Sequence, residues 1–182
     1  MSAESISDFL AEAKDLDDEG FVEAYPYPFL VREATKGHVP VSGERSTARL
    51  TRSALATVGD GFGLDEGVTI HRVYPRREDA ETVRIGRDED ECDVVISDGS
   101  VSKVHAELSL DYDEASDSKT FQLTDLGSAN GTFLNGDRLE PNTPLEVSDM
   151  DSIRLGPVIK LQFFTSDAFF QFLSMYRRIK KP

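Results

Sequence analysis

Four short clusters carry the side chains able to do chemistry: Gly86-Arg87, Ser102-Lys103-Val104-His105, Asn130-Gly131-Thr132 and Asn135-Gly136. Together they offer a guanidinium, a hydroxyl, an ammonium and a carboxamide. Their glycines add turns that can present backbone N–H groups. That is the donor set of an anion receptor. Each member also has a plainer reading. Arg87 alone reads as an ion-pair partner of Asp88, Asp90 or Asp93, and Ser102 and Asn130 as residues that satisfy turns. His105, flanked by Val104 and Ala106, reads as a histidine that braces a loop.

Catalytic chemistry finds little support. Ser102 and His105 form a Ser-His pair, but two intervening residues on a strand-entry loop supply neither an oriented acid nor an oxyanion site. Gly59-Asp-Gly-Phe-Gly63 has neither the spacing nor the strand-to-helix setting of a dinucleotide fingerprint. The three histidines, His38, His71 and His105, sit in separate contexts. Asp111-Tyr-Asp-Glu-Ala-Ser-Asp117 resembles a calcium loop but lacks its sixth-position Gly and closing Glu. No catalytic residue, metal or cofactor is therefore expected.

All four clusters fall at strand ends or in loops of a β-rich stretch. Short β-type runs follow one another from Val68, at 68–74, 82–85, 93–96, 104–110, 121–124, 132–134, 145–147, 152–155 and 158–164. Turn signals separate them: Asp98-Gly, Asn130-Gly, Asn135-Gly and Gly156-Pro. A further strand is predicted near 28–34. This spacing predicts an all-β, antiparallel sandwich of about eleven short strands, spanning 25–165 with its core in 67–165. In such a sandwich, loops from alternate strand ends share one rim, where a rigid scaffold can hold functional residues. Residues 35–66, rich in Gly, Ser and Thr, read as a long excursion. Within it Thr47 and Thr51, beside arginines, are candidate phosphorylation sites that could occupy the pocket in cis.

Both ends read as amphipathic helices. Ile6, Phe9, Leu10, Ala13 and Leu16 share one face of a helix predicted over 5–16, capped by Ser5 or Ser7, within an acidic extension 1–24. Phe169, Phe172, Leu173, Tyr176 and Ile179 share a face of a second, over 166–182, capped by Ser166 or Asp167. Each helix covers a sheet or docks a partner, and covering the sheet is preferred.

The chain has 182 residues, 34 acids against 20 bases, and a formal net charge of −14. The first 24 residues, with eight acids and one base, carry half of that excess. Such acidity argues against general nucleic-acid binding, which requires Lys and Arg to neutralise phosphates, but allows a local basic pocket. With Cys92 alone, no intramolecular disulfide forms, which favours a reducing compartment. No apolar run nears the roughly 18 residues of a membrane helix, and the N-terminus lacks a signal-peptide layout. A cytoplasmic protein without a membrane span is expected.

The ordered clusters, from Gly86-Arg87 to Asn135-Gly136, resemble the forkhead-associated (FHA) domain, a β-sandwich module that binds phosphothreonine peptides. The resemblance covers roughly residues 67–165. It implies that Gly86 permits the turn that lets Arg87 reach the peptide backbone or phosphate. It further implies that Ser102 donates to a phosphate oxygen, that Lys103 faces the phosphate and that Asn130 holds the peptide main chain. His105 becomes a buttress, Gly131 and Thr132 shape the loop of Asn130, and Asn135-Gly136 shapes the neighbouring turn. Where the family commonly places Ser or Thr just before Asn130, this chain has Ala129, one hydroxyl donor fewer. The implied function is a phosphothreonine-binding adaptor in Ser/Thr kinase signalling, whose partner is a kinase or its substrate. The alternative is a structural or interaction module with a silent pocket that acts through its helices or another face.

Overall fold

The computed structural model describes residues 4–32, 68–76, 80–113 and 118–179. The predicted excursion 35–66, with Thr47 and Thr51, and most of the calcium-like loop's second half lie outside the described residues.

The chain enters through β1 (Glu4–Ser5), α1 (Ile6–Glu12) and α2 (Asp18–Ala24) before β2 (Phe29–Arg32) and β3 (Thr69–Arg72). Then come β4 (Thr82–Gly86), β5 (Val94–Val95), β6 (Ala106–Asp113) and β7 (Ser118–Asp125). The last strands are β8 (Thr132–Leu134), β9 (Asp137–Arg138), β10 (Leu145–Val147), β11 (Ser152–Leu155) and β12 (Ile159–Phe164). Helix α3 (Ser166–Ile179) follows. One sheet has the order β1-β3-β2-β12-β11-β8-β9 and the other β10-β7-β6-β4-β5. Their facing sides enclose Leu30, Ile85, Ala106, Leu123, Ile153, Leu155 and Phe163, all buried. This is a β-sandwich.

Period-two alternation decides which residues enter that core. On β12, Ile159, Leu161 and Phe163 point between the sheets, whereas Lys160 is exposed and Phe164 joins a second core behind the sheet. The Asn135-Gly136 signal closes the β8–β9 hairpin, with φ of 52° and 96° at its two central residues, the positive pair a two-residue hairpin turn requires. The all-antiparallel expectation needs one correction: β4 and β5 run parallel, pairing Ile85 with Val94. The loop joining them crosses over instead of folding straight back. Strands β1 and β9, two residues each, are too short to show a period, which is why the sequence does not reveal them.

The second core lies under the helices. Phe9 of α1, Phe21 of α2 and Phe169 of α3 pack onto Phe29, Val31, Ile70 and Phe164 of the sheet. Phe169 stacks on Phe29 with ring centroids 4.2 Å apart. Helices α1 and α3 thus cover the sheet with their apolar faces. The predicted helix 5–16 stops at Glu12, and a second helix, not foreseen, starts at Asp18. Ser5 caps the first, accepting from the amide of Asp8 (3.1 Å), and Asp17 caps the second, accepting from Gly20 (2.9 Å). The cap of α3 falls on Thr165, not on Ser166 or Asp167: its hydroxyl accepts from the amide of Ala168 (3.4 Å). At the other end of α3, Arg177 donates to the carbonyls of Ala13 (2.7 Å) and Leu10 (3.4 Å), satisfying the C-terminal end of α1. Arg72 enters the cluster from below, 5.1 Å from the Phe9 ring centroid and ion-paired to Glu4 and Glu12.

Two expectations about stability follow. Phe169→Ala removes a fully buried ring that joins helices to sheet, and should cost about 3–5 kcal/mol in denaturant unfolding. A loss under 1 kcal/mol would show that the helices are only loosely attached. His71 is buried with Nε2 unpaired, and burial, with Arg32 as a secondary cause, holds its pKa down to about 4. The unfolded chain takes up that proton near pH 6.5 and the folded chain does not. Stability is therefore fully present above pH 6.5 and is lost as pH falls towards 4, by on the order of 3 kcal/mol. Unfolding curves of His71→Phe should lack this limb between pH 6.5 and 4; an unchanged limb assigns it elsewhere.

Candidate functional site

Strand β4 delivers Arg87, and the strand's last residue fixes how. A Cβ at Gly86 would lie 2.1 Å from the carbonyl oxygen of Lys103 and 2.7 Å from Cys92 Sγ. Glycine is therefore required here by space, since its φ is not among the positive values. The close approach lets the 87–93 loop bond along the 97–105 loop. Arg87 N donates to Ser102 O (3.0 Å) and Asp88 N to Lys103 O (3.2 Å). The buried Cys92 thiol donates to Lys103 O as well (3.1 Å), and burial pushes its pKa up. This is the environment of an unreactive thiol.

His105 joins those loops to the one after β7. It is fully buried. Its Nδ1 accepts from the amide of Ser102 (3.0 Å), so the ring proton sits on Nε2, which faces Gly131 O at 3.3 Å. Burial holds its pKa below the ordinary value, against weaker opposition from the Gly131 carbonyl and Asp125. The imidazole is thus neutral and spans two loops.

Asp125 anchors the far side. It is buried, and accepts from the amides of Gly127 and Ser128 (3.1 Å each) and from the hydroxyls of Ser128 and Thr132 (2.6 Å each). Burial alone would raise its pKa; the Ser128 and Thr132 hydrogen bonds outweigh that and hold it below the usual carboxylate range. Ser128 Oγ in turn accepts from Gly131 N (2.9 Å). Gly131 has φ +81° and passes its carbonyl to Gly156 N (2.9 Å). The loop that carries Asn130 is held at every turn.

On this frame four of the singled-out side chains share one rim. Arg87 and Lys103 are exposed, and Arg87 makes no ion pair with any described residue, so the alternative of pairing with Asp88, Asp90 or Asp93 does not hold. Asp93 instead accepts from the amides of Arg76 and Arg84. Ser102 Oγ accepts from Ala129 N (3.0 Å), which leaves its own proton for another acceptor. Asn130 donates Nδ2 to Ser100 O (2.8 Å), tying the third loop to the second and leaving its carbonyl oxygen available.

Gly86, His105, Gly131 and Thr132 lie beneath these four. Asn135 and Gly136 do not join them. They sit at the opposite end of β8, where Asn135 bonds Asp151 and the amide of Ser152. Sequence reasoning passed over Ser100, Asp125 and Ser128, and read Gly156 only as part of a turn. The Asp125-to-Ser128 spacing, typical of a side chain folding back on its own turn, was a usable signal. Ser100 carried none. Among the described residues no three His, Cys, Asp or Glu stand together as metal ligands, and no helix is long and apolar enough to cross a membrane.

Residues 83–156 match the family model of the FHA domain. This segment is an FHA domain. An FHA domain-containing protein of Arabidopsis thaliana is 36% identical over 88 residues, 45% of this chain and 21% of that protein. The FHA domain-containing protein PS1 of the same plant is 37% identical over 76 residues, 42% of this chain. The chain thus spans only 21% and 5% of the length of these two relatives. Two solved structures share the fold at 20% identity and a TM-score of 0.51. The MEK1 FHA domain covers 80% of this chain with 93% of its own. The yeast Dun1 FHA domain, in complex with a doubly phosphorylated peptide derived from Rad53, covers 78% with 75% of its own.

Gly86→Ala tests the close approach that builds this FHA rim. The added methyl must separate the two loops, with an expected cost of about 1–3 kcal/mol. The amide resonances of Asp88 and Cys92 should move. Unchanged stability and unmoved resonances would mean that the loops are not locked together.

Proposed function

We propose that the chain is a phosphothreonine-peptide-binding adaptor, non-catalytic, whose partner is a phosphorylated protein in Ser/Thr kinase signalling. One observation carries the reading: two cations, Arg87 and Lys103, neither ion-paired among the described residues, stand beside an available hydroxyl and a pinned carboxamide on one rim. A tetrahedral dianion matches that set. Arg87 and Lys103 supply charge-assisted bonds, Ser102 donates its free proton, and Asn130 Oδ1 accepts from the peptide main chain. The Dun1 complex with a phosphorylated peptide supports the same class of ligand. Ala129 contributes only its amide, which is already bonded to Ser102 Oγ. The terminal helices bury their apolar faces in the second core, which leaves the silent-pocket alternative no apolar helix face to act through.

Three or four charge-assisted bonds of roughly 1.5–3 kcal/mol each, less association and ordering costs, leave about 8 kcal/mol, a micromolar complex. Calorimetric titration with a degenerate phosphothreonine pool, beside phosphoserine and unphosphorylated controls, should give saturable binding to phosphothreonine alone. Arg87→Ala should weaken it about tenfold to a hundredfold while the fold is retained. Binding should also weaken below about pH 6, where the phosphate takes up its second proton. No binding by folded protein, or equal affinity at pH 5 and 7.5, would sink the reading.

A further inference from the structure

The half of the seven-stranded sheet that none of the three described helices covers carries a second set of cations. Cross-strand register places Arg138, Phe133, Arg154 and Lys160 in one row, running β9-β8-β11-β12. Their neighbours Thr132, Leu134, Ile153, Leu155, Ile159 and Leu161 are buried towards the sandwich core. Strand alternation therefore turns Phe133, Arg154 and Lys160 to the opposite, outward face. Arg138 and Lys160 are exposed, and none of the three cations pairs with an acid among the described residues.

In a chain with 34 acids and 20 bases, three bases in one row without a carboxylate partner are unexpected. The outward positions of β8, β11 and β12 hold no carboxylate: besides this row they carry Ser152, Gln162 and Phe164. The row is also built. The Arg154 guanidinium lies 3.5 Å from the Phe133 ring centroid and donates to Gly156 O (2.5 Å).

The row adjoins the phosphate rim. Gly156, where Arg154 is tethered, sends its amide to Gly131, and a Cβ on it would lie 3.2 Å from Asn130 Cβ. A Cβ on Gly131 would lie 2.7 Å from Arg138 Nε. Asn130-Gly131 is therefore a ridge with Arg87 and Lys103 on one side and the two arginines behind it.

We propose that this row binds an acidic stretch of the same phosphopeptide, carboxylates that flank the phosphothreonine and pass over the Asn130-Gly131 ridge. The proposal rests on the phosphothreonine reading above and adds its sequence preference. Four strands about 4.8 Å apart span roughly 14 Å, the length of about four extended residues. The opposite charge of row and peptide supplies the complementarity. A polyanionic nucleic acid is disfavoured by the acidity of the rest of the surface.

The test uses the full chain and an oriented peptide library with phosphothreonine fixed and four degenerate positions on each side. The native chain should enrich Asp and Glu on one flank. A double variant, Arg138→Gln with Lys160→Glu, should lose that enrichment yet still retain phosphothreonine peptides. A matched pair of peptides with Glu or Gln at the enriched positions should differ about three- to tenfold in Kd at low salt, and converge in the variant or at high salt. Because Arg138 packs beneath Gly131, Lys160→Glu alone, which touches no rim residue, is the second variant and should lose part of the preference. Flat flanks in the native chain, flanks unchanged in either variant, or capture of a single-stranded oligonucleotide by the row in their place would overturn the proposal. If the native chain retains no library member, the phosphothreonine reading falls and this one with it; retention with flat flanks removes this one alone.

Discussion

The rim depends on a neutral imidazole in a fully buried site. Three loops reach it from different strands, and a side chain must tie them to one another. His105 solves this by accepting from one loop at Nδ1 and presenting Nε2–H to another. Only the neutral ring can do both, because the imidazolium is a donor at each nitrogen. Burial is what keeps it neutral, so the sandwich core and the loop geometry are not separate features. Filling the core around His105 sets its protonation state, and its protonation state sets where Ser102 and Gly131 lie.

Asp125 works by the opposite route. It is charged and buried, which is costly unless the charge is fully bonded. Four donors within seven residues meet that demand, three from the loop it begins and one from Thr132 at the start of β8. The loop's turns are thereby fixed before any ligand arrives, so Asn130 has little ordering left to lose. Rigid placement favours binding by lowering the entropic cost of association. Together the two buried groups let exposed residues behave as though they stood on a strand.

How much of this was legible in the sequence follows from the range of the interactions. The strands around Phe133, Ile153 and Leu161 were readable because period-two burial is a local signal. So was the hairpin at Asn135-Gly136. The parallel pairing of β4 with β5 was not, since strand direction depends on where the chain returns. Gly86 was singled out for a turn, yet it is needed because the Lys103 carbonyl lies against it, a contact seventeen residues along the chain that no spacing reveals. Thr165 took the cap in place of the two expected residues, and it is held there by Asp149, sixteen residues away, a tie that no local preference reveals. Asp125 and Ser128 were legible in principle, but their chemistry is internal and does not advertise itself among residues chosen for reaching a ligand.

The charge distribution resolves an apparent conflict between a chain of net charge −14 and a rim suited to anions. Half of the excess lies in the first 24 residues, whose strand β1 forms one edge of the seven-stranded sheet while β8 and β9 form the other. Five or six strand spacings of about 4.8 Å place them roughly 24–29 Å apart, about three Debye lengths at physiological salt. Some of those acids are also occupied locally, since Arg72 holds Glu4 and Glu12. An anion approaching the β8–β9 edge, where Arg138 lies, is therefore largely screened from strand β1 at the opposite edge. The three described helices cover the half of the sheet that carries Phe29, Val31, Ile70 and Phe164, not the half that carries Arg154 and Lys160. The apolar half needs a lid, and the half with Arg154 and Lys160 needs water or a ligand.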